Sequence, residues 1–324
     1  MKIGKVGEFG LIEKIRQAAP YGRGVRVGIG DDAAWLDSRG TTLLVTADLL
    51  IEKIHFDLRW TSFYALGYKT LAVNLSDIAA MGGTPAYLTL SLGVPRSFRS
   101  EDVEEFYRGV RALAARSGVS IVGGDTSRAE RFFISAALIG RAPHRPILRN
   151  GARRGDDLYV TGTLGDSALG LKLLKKRSRQ SGAGYLIRRH NFPTARLAAG
   201  ALLARSGLAK AMIDLSDGLL QDLGHICKES GVGAEICEEA LPLSNAYRKF
   251  TAGDPTIALG GGEDYELLFS ARPRAREKVE RLKARLGIRV TRIGRCVRAG
   301  DGIKVLDRRG RPRPLARRGY DHFN

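Results

Sequence analysis

The sequence predicts an α/β protein with mixed sheets, folded as two domains. Three observations carry this reading. The chain has 324 residues, long for a single hydrophobic core. Short β-branched runs alternate with longer helical stretches in both halves. A segment rich in proline, glycine and charge, 141–157, separates the halves as a connector. The expected domains are 1–142 and 150–324.

In the first half, strand-like runs are VRVGIG (25–30), TLLVTA (42–47), YLTLSLGV (87–94), SIVGG (120–124) and FFISAALIG (132–140). A largely apolar helix is expected over about 61–81, stopped by Gly82 and Gly83. A second is expected over about 101–117, with Ser100 as N-cap, acids in its first turn and Gly118 as its stop. The second half restarts with the strand DLYVTG (157–162) and a helix at about 166–176. A further helix follows MIDLSDG. A strand pair is expected around IALGGGEDYELLFSA, then a basic helix at about 274–286 and short strands RVTRIG and GIKVLD. No internal repeat or low-complexity segment is visible.

Composition narrows the function. No apolar run approaches the roughly 20 residues that span a bilayer. The opening MKIGKVGEFGLIEKIRQ lacks the apolar core of a signal peptide, so a cytoplasmic protein is expected. Cys227, Cys237 and Cys296 form no CxxC pair and read as buried spectator thiols, with neither a disulfide framework nor a zinc site. The net charge is +19, and residues 270–324 hold 18 Lys or Arg against 5 Asp or Glu. No aromatic RNA-binding pattern, zinc finger or helix-turn-helix accompanies that charge. A solvated basic face, or a field drawing anionic substrates, fits it better than a nucleic-acid surface.

Against this basic background, acids recur where apolar runs end. They are Asp31 and Asp32 in GIGDDAA, Asp48 after TLLVTA, Asp125 after SIVGG, Asp214 and Asp217 in AMIDLSD, and Glu263 and Asp264 in IALGGGED. A single such acid is an ordinary turn or cap residue, and Asp217 alone fits a helix cap. Asp77 is sharper, because it interrupts the apolar helix LAVNLSDIAAM with Asn74 one turn earlier. A buried carboxylate needs a cation or a strong donor. With hydroxyls such as Thr46 and Ser216, the donors are all oxygens, which suits Mg²⁺ or Mn²⁺ serving a polyphosphate. GGDTSR (123–128) allows close approach of backbone to phosphate, and GTLGDSALG (162–170) offers an anion site at a helix N-terminus. There is no Walker A loop and no protein-kinase motif set.

GIGDDAA, TADLLIEKIHF, LAVNLSDIAAMGGTPAYLTLSLGVP, IVGGDTSR, YVTGTLGDSALGL, IDLSDGLLQDLGHI, GGGEDYELLF and GYDHF occur in that order. Together, over about 4–323, they resemble the thiamine-monophosphate kinases. That family belongs to the ATP-binding superfamily of aminoimidazole ribonucleotide synthetase and selenophosphate synthetase. The resemblance implies that superfamily's two-domain fold, with N-terminal domains pairing into a homodimer through a barrel-like interface near the nucleotide site. It implies ATP-dependent phosphorylation of thiamine monophosphate to thiamine diphosphate, the last step of that cofactor's synthesis, with several Mg²⁺ ions.

Residue by residue, the resemblance implies metal-binding roles for Asp32, Thr46, Asp48, Asp77, Asp125, Asp214 and Asp217. It implies ATP contacts for Gly124, Asp125, Arg149 and Ser216, and substrate contacts for His55, Glu263 and Tyr320. Many members carry a hydroxyl residue where this chain has Ala47, so no side-chain ligand is available there. Selenophosphate synthetase is disfavoured because no cysteine precedes Cys227. The acceptor, a phosphate monoester, is already anionic at neutral pH. No general base is therefore expected, and the acid-rich motifs show no Ser-His or Cys-His nucleophile pattern.

Overall fold

The structure, a computed structural model, describes residues 3–314. The first half contains α1 (Ile3–Ala18), β1 (Val25–Val27), β2 (Ala34–Ser38), β3 (Thr41–Ile51), α2 (Phe63–Ala80), β4 (Thr84–Val94), α3 (Ser100–Ser117), β5 (Ser120–Arg128) and β6 (Phe133–Arg141). Its six strands form one sheet in the order β1-β2-β3-β6-β4-β5. All pairs are antiparallel except β4 with β5, which the α3 crossover makes parallel.

The second half runs β7 (Asp157–Thr161), α4 (Asp166–Lys175), α5 (Ala183–Asn191), α6 (Leu197–Ser206), β8 (Ala209–Asp214), α7 (Leu219–Ser230), β9 (Val232–Cys237), α8 (Asn245–Thr251), α9 (Thr256–Gly260), β10 (Leu267–Ala271), α10 (Arg276–Leu286), β11 (Val290–Arg298) and β12 (Ile303–Leu306). Its sheet order is β12-β9-β11-β7-β10-β8. This mixed α/β architecture is the fold class expected.

Among the described residues the first sheet is layered on one side only. Leu44, Leu50, Leu88, Leu90, Ile134, Ala136 and Leu138 alternate inward and bury against α2 and α3. The residues between them, including Leu49, Tyr87 and Phe133, face outward and are exposed. β5, at the sheet's edge, is exposed along its whole length. The second sheet is buried in its central strands, and β7 and β10 are buried at every position. The halves meet along α2, whose Ala79 and Ala80 join Tyr159, Met212 and Phe269 in one cluster, while Tyr265 packs into the core of the first half.

Several elements differ from expectation. The first half of IALGGGEDYELLFSA is the short helix α9, following Pro255, and only LLFSA pairs as a strand. A short apolar run fits either state, and the tertiary setting decides. The helix α3 starts at Ser100 with Arg99 as N-cap, and the Asp102 carboxylate accepts the Arg99 backbone N–H at 3.0 Å. Asp48 and Asp125 lie within their strands, because β3 and β5 continue past them. Cys237 is exposed, whereas Cys227 and Cys296 are buried. No described helix is long and apolar enough to cross a membrane.

The contact of α2 with α3 depends on two glycines. A Cβ at Gly67 would lie 1.9 Å from the Phe106 carbonyl oxygen, and one at Gly109 would lie 2.0 Å from that of Tyr64. The obstacle is backbone in both cases, so the helices must separate. Gly67→Ala is expected to destabilise by about 1–3 kcal/mol, visible as a lower urea midpoint at unchanged slope. An unchanged midpoint would mean that the helices move apart freely.

Candidate active site: an acid cluster between two sheets

The loop after β1, the middle of β3, the last turns of α2 and the end of β8 converge at the seam. Asp32, Asp77 and Asp214 each place a carboxylate oxygen within 4.8 Å of the others. Thr46 donates its hydroxyl to Asp77 Oδ2. Ser76 Oγ donates to Asp214 Oδ2 at 2.6 Å. Thr46 and Asp48 are two apart on β3 and share the face that meets α2. Ala47 lies on the opposite, outward face. Asp32 Oδ2 is buried with no hydrogen-bond partner, and so is Asn74 Oδ1.

Electrostatics confirms the crowding. Burial, then the neighbouring Asp48, Asp214 and Asp32 charges, push the Asp77 carboxyl well above its ordinary range, against the Thr46 hydrogen bond. Burial and Asp32 do the same to Asp214. Burial pushes Asp48 to about 6. Among the described residues these acids have one ion-pair partner. Arg149, in the segment joining the two sheets, places Nη2 3.0 Å from Asp32 Oδ1. Its backbone N–H donates to the Asp31 carboxylate at 3.3 and 3.2 Å. Asp31, the neighbour of Asp32 in the sequence, thereby anchors the connector.

Asp217 stands apart from these acids. It groups with Asp222 and His225 of α7, with one ligand atom of each within 4.8 Å. The Asp222 carboxylate, in the first turn of α7, accepts the Asp217 and Gly218 backbone N–H groups at 3.2 and 3.0 Å. Ser216 lies on the same loop, and its carbonyl accepts the Glu263 N–H at 2.7 Å.

Gly124 is level with Leu90, Ala136 and Asp48 across the sheet. Its lack of a side chain has a local cause, since a Cβ there would meet the Leu90 carbonyl oxygen at 1.7 Å. Asp125 is level with Ser91, Ser135 and Leu49, on the outward row. Its Oδ1 accepts the neighbouring Thr126 N–H at 2.8 Å. The structure therefore does not bring Asp125 into the acid cluster.

His55 lies in the turn after β3, with Nδ1 accepting the Ile51 N–H at 2.9 Å. Tyr320 lies outside the described residues. The expected anion site at the start of α4 is filled from within. Asp264 accepts the Gly165 and Ser167 N–H groups at 2.6 and 3.1 Å. Glu263, its neighbour, turns the other way, to Lys69 at 2.6 Å and His190 Nδ1 at 3.2 Å. Ser76, Lys69 and His190 were not anticipated. Lys69 did leave a sign, as a lone cation in the same apolar helix that made Asp77 conspicuous.

Residues 30–142 match the family model described as AIR synthase related protein, N-terminal domain, and residues 153–307 match its C-terminal domain. Thiamine-monophosphate kinase of Salmonella typhimurium is 41% identical over 98% of both chains. The chain belongs to the thiamine-monophosphate kinase family. The Bacillus subtilis member is 36% identical over 98% of this chain and 99% of its own. A solved structure described as AaThiL complexed with AMPPCP and TMP is 37% identical, covers 99% of each chain and superposes with a TM-score of 0.86. The acid cluster sits in a fold this family shares over its full length.

The oxygen-only donors and the orphaned Asp32 oxygen suit a hard divalent cation. Without one, the acids work against folding. Asp48 at about 6 and Asp31 at about 7 retain protons in the folded state that an unfolded aspartate releases near pH 4. The cation-free protein should therefore lose stability as pH rises through about 4 to 7. Carboxyls held low by partners, such as Asp157 with Arg276 and Arg292, act below that window. In chelator, melting temperature is expected to fall from about pH 5 to pH 8, and Asp77→Asn to raise it by about 2–4 °C at the upper end. Melting that rises with pH would contradict this.

Proposed function

We infer that this chain transfers the γ-phosphoryl group of ATP to a phosphate oxygen of thiamine monophosphate, releasing ADP and forming thiamine diphosphate. Near-full-length identity to thiamine-monophosphate kinases supports the reaction. The observation that carries the site is the trio Asp32, Asp77 and Asp214, drawn from both halves of the chain, beside Arg149. The related structure's complex with an ATP analogue and TMP supports both substrates.

In this reading Asp32, Thr46, Asp48, Asp77 and Asp214 hold Mg²⁺, and Asp217 a further ion on the α7 side. Mg²⁺ supplies charge neutralisation between two phosphate groups that repel each other. Arg149 contributes a fixed positive charge beside the same oxygens. Ser216 and Gly124 line the nucleotide side, and His55, Glu263 and Tyr320 the acceptor side. The acceptor oxygen is already anionic, so positioning and charge carry the catalysis. The protein works in the cytoplasm, and its folding units are 1–142 and 150–324.

We further propose a homodimer formed through the first sheet. Among the described residues its outward face has no second layer, its edge strand β5 pairs on one side only, with β4, and Val122 is 56% exposed at that edge. Pairing would cover these residues and place Asp125 at the interface, near the nucleotide.

The direct test combines the chain with ATP, Mg²⁺ and thiamine monophosphate. ADP and thiamine diphosphate should form one to one, and only with both substrates present. ATP hydrolysis without thiamine diphosphate would reopen the identity of the acceptor. Asp77→Asn should lower kcat by about a hundredfold or more, and near-normal turnover would remove Asp77 from the metal set. His55→Ala should raise KM for thiamine monophosphate more than KM for ATP. Equal effects would count against an acceptor-side place. Val122→Arg should halve the mass seen by light scattering, and an unchanged dimer would locate the interface elsewhere.

A further inference from the structure

Lys69 is buried, at 4% exposure, in the middle of α2. Its Nζ lies 2.6 Å from Glu263 Oε1, and His190 Nδ1 lies 3.2 Å from Glu263 Oε2. Ser167 Oγ is 3.1 Å from the same His190 nitrogen. Burial alone would raise the Glu263 carboxyl, but Lys69 and then His190 draw it well below the usual range, so it stays ionised. The Glu263 side chain nevertheless keeps 30% of its surface exposed. Two of its roughly four acceptor positions face Lys69 and His190, leaving capacity for an outside donor.

The backbone reinforces this arrangement. Glu263 holds a positive φ of 68°, an uncommon conformation for a side chain of its size. It is kept there by its N–H bond to Ser216 and by the Tyr265 N–H bond to Leu215 at 2.9 Å. Strain of this kind persists where the surroundings over-determine it, and it concentrates at ligand sites. A buried ion pair adds little stability over an apolar pair of the same shape, so stability alone does not account for the lysine.

Lys69 also shares its helix with the acid cluster. Asp77 is eight residues further along α2, roughly 12 Å at 1.5 Å per residue. Ser76, beside it, holds Asp214. One rigid helix therefore carries the group that holds Glu263 and the groups that hold the metal-site acids.

We propose that Lys69 is a positioning residue: it fixes the Glu263 carboxylate as an acceptor for an N–H donor on the acceptor's heterocycle. The helix α2 then sets the span between that ring and the reacting phosphate. Thiamine monophosphate carries such a donor in its aminopyrimidine. The inference rests on the acceptor-side reading of Glu263 given above.

The test is a double-substitution cycle of Lys69→Met and Glu263→Gln, with KM for thiamine monophosphate and for ATP measured in each variant. Lys69→Met is expected to raise KM for thiamine monophosphate about tenfold or more and KM for ATP less than twofold, with Lys69→Arg recovering part of the loss. In the Glu263→Gln background, Lys69→Met should add less than about twofold. A further tenfold loss in that background, or equal effects on both substrates, would overturn the proposal. If Lys69→Met alone leaves a stranded carboxylate and does not fold, the comparison of Glu263→Gln with the double variant, in which no charge is stranded, still decides it. Wild-type protein that does not phosphorylate thiamine monophosphate would refute the kinase reading. Wild-type turnover with Lys69→Met unaffected would refute only the role of Lys69.

Discussion

Mutual repulsion among buried carboxylates is the constraint around which this molecule is arranged. Asp32, Asp77 and Asp214 each place a carboxylate oxygen within 4.8 Å of the others, and Asp48 lies close enough to oppose ionisation of Asp77. Nothing in their own chemistry favours that approach. The surrounding fold imposes it, through β3 and α2 from one half and β8 from the other, with hydroxyls of Thr46 and Ser76 as fixed donors. Arg149 and the Asp31 anchor then tie the connector to the same point. In the function proposed above, a basic protein gathers acids here so that their charge is directed at a cation and, beyond it, at phosphate.

The seam is also where both halves become one enzyme. The segment GGGEDYE shows how closely they are joined, since consecutive acids turn to different partners. Glu263 meets α2 of the first half, Asp264 caps α4, and Glu266, fully buried, binds Arg189 and Arg196 together with Thr161. A loop with so many fixed partners has little freedom, which suits a wall that must hold its shape against a ligand.

Much of this was legible in the residues, for physical reasons. Long apolar or β-branched runs with glycine stops, such as α2, β4 and β6, have one dominant periodicity, and their boundaries were close. Short or polar elements were not legible. The helix α1 is broken by the non-helical backbone of Gly7, β2 is only five residues long, and α9 is an apolar run too short to choose its own state. Among the acids, Asp77 stood out because a charge in an apolar helix has few explanations. Asp125 did not differ in type from the others, and only strand register separated it from them. The division between Asp214 and Asp217, three residues apart, depends on the turn into α7. The supporting groups Ser76 and His190 were invisible because a serine or histidine in a helix carries no pattern of its own.

The crowded acids have a consequence for the protein in a living cell. A fold under internal repulsion opens more often than one whose charges are matched, and proteases and chaperones act on the opened form. A ligand that binds only the folded state reduces that opening. Divalent cation bound at these acids would therefore govern how long each molecule survives as well as how fast it turns over. With magnesium as that cation, the reading proposed above, a cell short of it would lose copies of the enzyme along with their activity.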